Sequence, residues 1–490
     1  TMAGGTLASS GSSAVLLANT LSLSGTITLG NSANFGPLTF SGNGALTADT
    51  TLTTANAALF NGPLSGTGRT LTKNGASTLT LASANTFAGV TLTQGTLLVG
   101  DNLALGGSAS TFTATSGTLS SSGSSAVSLA NTLAISGTLG LGDGVNTGSL
   151  TLTSGLSVNS NLTLNAYTQT TLSGVLSGSY ALVKGGNAEL ILSGLNAGFT
   201  GTTTVNLGTL TLSGGNALSD TAPVDGLNTG ALKLTASETI GMLSGSLALH
   251  LQSNTLTINS TSSGTYSGMI SSTPGGSILK TGTGALTLNG TSNFSAGISL
   301  AQGTLLASND LALGGSASTL TVSGGTLSSA GTNSLLLANT LSISGTVTLG
   351  SAINNGSLSF VGSSNLNANS TLNTASPVSI NGPLNGAGVT LSKSGSSTLT
   401  LNASNTLAGV SLSQGTLLVG HNQALGGSSS TFTATGGTLT SAGTSAVVLA
   451  NPFFVSGTLG IGSSANNGAL TLSGSGSITG ALTLNVYSPG

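Results

Sequence analysis

The sequence predicts an all-β protein, a parallel β-solenoid (β-helix) of about 19–22 residues per coil, and three observations carry that prediction. Apolar and hydroxyl-bearing residues alternate with period two in "TLTLASA", "TLTLNG", "SLSFVG" and "ALTLSG", which puts leucines on one face of a strand and Thr or Ser on the other. Glu and Lys, the charged helix formers, are nearly absent, while Gly, Thr and Ser, poor in helix interiors, are abundant. Short Gly-Thr/Ala-aliphatic phrases begin at Gly5, Gly25 and Gly44, at Gly95, Gly117 and Gly137, and at Gly303, Gly325 and Gly345, a nearly constant interval of one coil. With coils stacked ~4.8 Å apart, 490 residues give about 23 coils and a rod of roughly 110 Å.

Longer periods organise the short one. "QGTLLVGDNLALGGSASTFTATSGT" at 94–118 returns as "QGTLLVGHNQALGGSSSTFTATGGT" at 414–438 with four differences, an offset of 320. The same offset aligns Asn19 with Asn339, Lys73 with Lys393, and "NLTLNAY" at 161 with "ALTLNVY" at 481, so residues 1–170 repeat as 321–490. Modules of about a hundred residues open with "GTL" at Gly95, Gly208, Gly303 and Gly415. One continuous solenoid over 1–490 is expected, read as a piece of a longer chain. A string of antiparallel sandwiches would need primed two-residue turns and varied connections, whereas one coil phrase is reused here at nearly constant spacing.

Composition removes whole classes of function. Charged residues are 3% of the chain and glycine supplies 77 positions, far from an average globular surface. Six Lys and Arg in all cannot neutralise a phosphate backbone, so no nucleic-acid partner is expected. Without cysteine there is no disulfide framework and no thiolate metal site, a composition suited to a bacterial exported protein. No apolar run is long enough to mark a transmembrane helix. The GxG pieces follow the coil period rather than opening a helix, and aspartate is too rare for calcium-binding nonapeptides.

The stretch "LTKNGASTLTLASANTFAGVTLTQGTLLVG" at 71–100 resembles the passenger-associated transport repeat, also called the autotransporter-associated β-strand repeat, of bacterial autotransporters. Its pattern, roughly L-x-K-x-G-x-x-x-L-x-L-x-x-x-N-x-F/Y-x-G-x-T-x-L/V-x-x-G-T-L, recurs around Lys184, Lys280 and Lys393. The resemblance implies a right-handed parallel β-helix in a passenger displayed on, or released from, the bacterial outer membrane. A long, nearly neutral rod covered in hydroxyls is in turn expected to have a structural or adhesive role outside the cell, as a stalk or a rod.

Candidate chemistry is sparse. Eight acids and two histidines are spread along the chain, and only "LSDTAPVDGLNTGALKLTASETI" at 218–240 gathers Asp220, Asp225, Lys233 and Glu238. The interval from Asp220 to Glu238 is close to one coil. These acids are read as members of a polar loop interrupting the solenoid, with a polysaccharide-acting carboxylate site as the sharper alternative. His250 and His421 read as exposed or turn residues rather than metal ligands. Asn19, Asn131, Asn339 and Asn451 share a "LAN" phrase and are expected at turns, bonding backbone groups and tolerating left-handed geometry. Thr-x-Thr pieces such as "TFTAT" vary too much between coils for an ice-binding array.

Lys73, Lys184, Lys280 and Lys393 each stand about one coil before a "GTL" glycine, Gly95, Gly208, Gly303 and Gly415 respectively, at nearly constant intervals. They are expected at coil corners, stems over apolar surface and ammonium groups in water, where they would discourage strand pairing. No catalysis, cofactor or metal ion is expected. The expected partners are copies of the chain itself or cell-surface and glycan ligands, with a self-assembling filament or sheath as the alternative to a stalk.

Overall fold

The computed structural model describes residues 1–227 and 229–487. They are all-β, with no α-helix among the described residues, and parallel strands stack in about 23 turns of a β-solenoid. The chain divides into two compact units, Thr1–Gly241 and Met242–Gly490, and the offset of 320 puts one copy of the long repeat in each.

In the first unit each strand pairs in parallel with its counterpart one coil on: Thr78–Leu81 with Thr96–Val99, and that strand with Thr118–Ser121. Early coils contribute two strands each, and from Val127–Leu129 a third ladder adds Leu150–Leu152 and Thr170–Leu172. The second unit repeats the plan, with Thr398–Leu401, Thr416–Val419 and Thr438–Ser441 in the same register.

Alternation sets the core. Thr96–Val99 buries Leu97 and Val99 and turns Thr96 and Leu98 outward. Leu79, Leu97, Leu119 and Leu141 lie in register on successive coils, all fully buried, and each such side chain contributes about 1.5–3 kcal/mol on burial. Phe40 and Phe60 stack with ring centroids 4.5 Å apart. Because each coil is covered only by its neighbours, the core is a set of such columns.

Coil length varies more than the glycine spacing suggests. The short coils bring Thr78 to face Thr96 and Thr398 to face Thr416, whereas the long ones bring Gly140 to face Asn165 and Leu349 to face Thr374. In the coil from Gly140 the surplus is taken up by the loop after Leu141, where Asp143 accepts the N–H groups of Val145 and Asn146 at 3.1 and 2.8 Å.

In the segment 218–240 Asp225 and Glu238 lie on strands of the solenoid, which corrects the expectation of a loop for them, while Asp220 does lie in the turn between Leu212 and Val224. Val224–Gly226 pairs with Thr203–Val205, and Gly230–Leu234 pairs with Gly208–Leu212. The backbone ladder tolerates Asp225 and Lys233 because both fall on outward positions of their strands.

Candidate functional site

The four repeat-marking lysines are the largest departure from the sequence reading. Lys73, Lys184, Lys280 and Lys393 are 0, 0, 1 and 0% exposed; their ammonium groups do not reach water. Alternation explains the direction: Leu71 and Lys73, like Leu391 and Lys393, share the inward face of one strand. The Lys73 Nζ donates to the carbonyls of Asn74, Gly75 and Gln94 at 3.1, 2.6 and 2.8 Å. Lys184 does the same to Gly185, Gly186 and Leu207, each at 2.8 Å, and Lys393 to Ser394, Gly395 and Gln414 at 2.8, 2.8 and 2.9 Å. Lys280 bonds the carbonyls of Gly282 and Gln302.

The physical reason is a corner problem. Where the chain turns, carbonyls leave the ladder and point inward, and buried backbone oxygens must find donors. A protonated amine carries three N–H groups, matching the three oxygens. Burial pushes Lys73, Lys184 and Lys393 down to about 8 and lowers Lys280 as well, so at neutral pH the first three remain protonated. The same corner explains the "GTL" glycine. A Cβ on Gly95 would fall 2.3 Å from the Gly75 carbonyl oxygen and 2.8 Å from the Lys73 Nζ, and its φ is +76°. Gly415 meets Gly395 and Lys393 at the same distances.

A second buried element of the repeat is not marked by spacing in the sequence. Asn85 accepts the Leu64 N–H at 2.7 Å and donates to the Ala104 carbonyl at 2.7 Å, bridging the coil before to the coil after. Asn196 and Asn405 repeat the bridge between Leu176 and Ala217 and between Leu384 and Ala424. In the copy around Lys280 the position is Ser292, whose buried Oγ finds no hydrogen-bond partner. The asparagine stands in the repeat pattern, but spacing alone does not say that it points inward.

Of the "LAN" asparagines, Asn131, Asn339 and Asn451 are buried and Asn19 is exposed. Asn131 donates to the carbonyls of Leu105 and Gly107 at 3.0 and 3.2 Å, Asn339 to Leu313 at 2.9 Å, and Asn451 to Gly427 and Ser430 at 3.0 Å each. They bond backbone groups as expected, but none is left-handed: among the described non-glycine residues only Gln252 has positive φ.

The acids come together only in part. Glu238 is 3% exposed and accepts the N–H groups of Ala217 and Leu218 at 3.1 and 2.9 Å. Burial raises its pKa, and the charge of nearby Asp220 adds to that. Asp220 itself is exposed, and Asp225 sits half-buried on another strand. Lys233 pairs instead with Glu189, Nζ to Oε1 3.6 Å. Burial alone would raise Glu189, but hydrogen bonds from Thr211 and Gln169 and the Lys233 charge bring it below the ordinary value. The His250 Nδ1 lies 2.8 Å from the Ser271 Oγ, and the His421 Nδ1 accepts the Gln423 N–H at 3.0 Å. Among the described residues no three of His, Asp or Glu are grouped to hold a metal ion. The four buried lysines, Glu238 and the bridging Asn85, Asn196 and Asn405 thus all bond the chain's own backbone.

No curated protein and no solved structure matches the chain. The family model of the passenger-associated-transport-repeat matches it four times, over residues 71–99, 182–212, 278–307 and 391–419. Each match contains one buried lysine and ends on the strand of its "GTL" phrase. The chain thus carries four passenger-associated transport repeats, which together with the β-solenoid fit an autotransporter passenger.

Proposed function

We propose that the chain is a structural and adhesive segment of a bacterial surface protein, displayed outside the outer membrane and performing no catalysis. The observation that supports this reading is the fourfold passenger repeat set in a β-solenoid, with its buried lysines and Glu238 bonded to backbone groups. A stack of short coils with Thr, Ser and Asn outward is a scaffold that presents hydroxyls and amides to water, where weak contacts add up along its length.

The test is made on the full-length protein in its own cells. An antibody raised against residues 1–490 should label intact cells, brief protease treatment of those cells should remove the label, and a deletion strain should settle less well on glycan-coated surfaces. Label reached only after lysis overturns the surface assignment. Glycan turnover lost in Glu238→Gln would make the protein an enzyme, and fibres grown from the purified chain would make it a self-assembling filament.

A further inference from the structure

Two grooves with matching linings recur at the sequence offset of 320, one within each unit, with volumes of about 390 and 610 Å³. In the first, Gly95, Gly117 and Gly140 form the floor on three successive coils, and Asn165 and Tyr167 close the far side. In the second, Gly415, Gly437 and Gly460 make the floor, with Asn485 and Tyr487 at the far side. Tyr167 is 46% exposed, and the backbone of both tyrosines is fixed from behind. The Tyr167 N–H bonds the Leu141 carbonyl at 2.7 Å and the Tyr487 N–H bonds the Ile461 carbonyl at 2.9 Å.

One missing side chain opens each groove. Along the outward column Thr118 faces Gly140, which faces Asn165; in the other unit Thr438 faces Gly460, which faces Asn485. A Cβ at Gly140 would lie 2.7 Å from the Thr118 Oγ1, and at Gly460 it would lie 2.6 Å from the Thr438 Oγ1 and 2.9 Å from the Tyr487 ring. The corresponding column of the second unit, Thr326, Thr348 and Asn373, carries a threonine in place of that glycine. There Ala375, whose N–H bonds the Leu349 carbonyl at 2.9 Å, replaces the tyrosine. The slot and the ring therefore go together: both are present at 140 and 167 and at 460 and 487, and both are absent at 348 and 375.

The lining selects a ligand class. It offers an exposed aromatic face, threonine hydroxyls from Thr118 and Thr138 and the Asn165 amide, and no acid, lysine, arginine or histidine. From Gly95 to Asn165 it crosses three coil steps, about 14 Å, the length of a short oligosaccharide. An aromatic ring beside a few convergent neutral hydrogen-bonding groups suits a molecule with one apolar and one hydroxylated side. We propose that the two grooves bind an uncharged oligosaccharide, a sugar ring stacked on Tyr167 or Tyr487 and its hydroxyls bonded to the threonines and to Asn165 or Asn485. The proposal deepens the adhesive reading above and rests on it.

Saturation-transfer NMR on the whole chain tests it with neutral tri- and tetrasaccharides of glucose, N-acetylglucosamine, mannose and galactose, and 3′-sialyllactose as the charged control. At least one neutral glycan should bind, and the pair Tyr167→Ala with Tyr487→Ala should weaken it about tenfold, the worth of one aromatic stack. The pair Gly140→Thr with Gly460→Thr, which copies Thr348 at the matching place, should abolish it in a chain that still melts cooperatively, the Thr118 and Thr438 side chains turning aside for the added Cβ. The grooves are overturned if no neutral glycan binds at millimolar concentration, if binding survives both pairs, or if sialyllactose binds best. Cells that still settle on glycan surfaces under any of those results keep the adhesive reading and lose only the grooves; cells that do not settle lose both.

Discussion

Replacing Lys393 by methionine isolates what the buried ammonium does. Methionine keeps most of the stem's volume, so the leucine columns around Leu391 stay filled, while the Ser394, Gly395 and Gln414 carbonyls lose the donor they share. Leaving buried acceptors unpaired costs about 1–3 kcal/mol each. Three such acceptors put roughly 3–9 kcal/mol at stake, and the relief of no longer burying a charge offsets part of it, which leaves a net loss of about 4 kcal/mol. In a stack of coils that couple only to neighbours the damage stays local. Amide hydrogen exchange should therefore quicken by roughly a thousandfold within 391–419, the equivalent of about 4 kcal/mol, and stay unchanged in 71–99, where Lys73 is intact. Lys233→Met serves as the control, since its side chain is 38% exposed and its ion pair should be worth no more than about 1 kcal/mol. If Lys393→Met changes exchange no more than Lys233→Met does, the carbonyl cage only offsets the cost of burying the ammonium, and the account of the corner fails.

Ser292→Asn should stabilise the copy around Lys280 by about 1–2 kcal/mol, because its amide can make the bridge to the Ala312 carbonyl that Asn85 makes to Ala104; a lower urea midpoint would show that this coil has no room for it. Stability should rise with pH above about 8. There the native lysines 73, 184 and 393 begin to lose protons while unfolded lysine holds its proton to about 10.4, so the unfolded state binds more protons across that window and unfolding becomes harder, by up to about 3 kcal/mol per lysine. Urea midpoints that fall between pH 8 and 10 would mean the cage holds the proton more tightly than water does.

The fold is legible because a stacked core leaves period two on every strand: "TLTL" at 78–81 and 398–401 states both the strand and its buried face. The same alternation places Lys73 inward, in phase with Leu71. The general aversion of ammonium groups to burial points the other way, and it loses because the acceptors come from a turn and from the next coil, partners that no local pattern displays. The segment 218–240 misleads for a related reason. Its acids suggest a loop, yet "ALKL" at 231–234 alternates like any other strand. The grooves are least legible. "NLTLNAY" and "ALTLNVY" are visibly the same phrase, but only one of the longest coils brings Gly140 beside Asn165, and its length exceeds the glycine spacing.

Scarcity of charge and burial of charge have one origin in this chain. The turns of the solenoid deliver inward-facing carbonyls, and some corners close them with hydroxyls: the Thr54 Oγ1 donates to the Ser77 carbonyl at 2.7 Å, Ser121 to Gly148 at 2.9 Å and Ser441 to Gly468 at 2.7 Å. A hydroxyl has a single hydrogen to give, so it closes a corner where one oxygen is left over. Where three converge, as around Lys73 and Lys393, only an ammonium on a long stem reaches them all. A threonine there would serve one carbonyl and abandon two, and a one-residue slip of the strand would turn the lysine outward altogether. Lysine at this corner therefore fixes the register of the coil as well as its hydrogen bonds, which is why it recurs once in each repeat and so rarely between them.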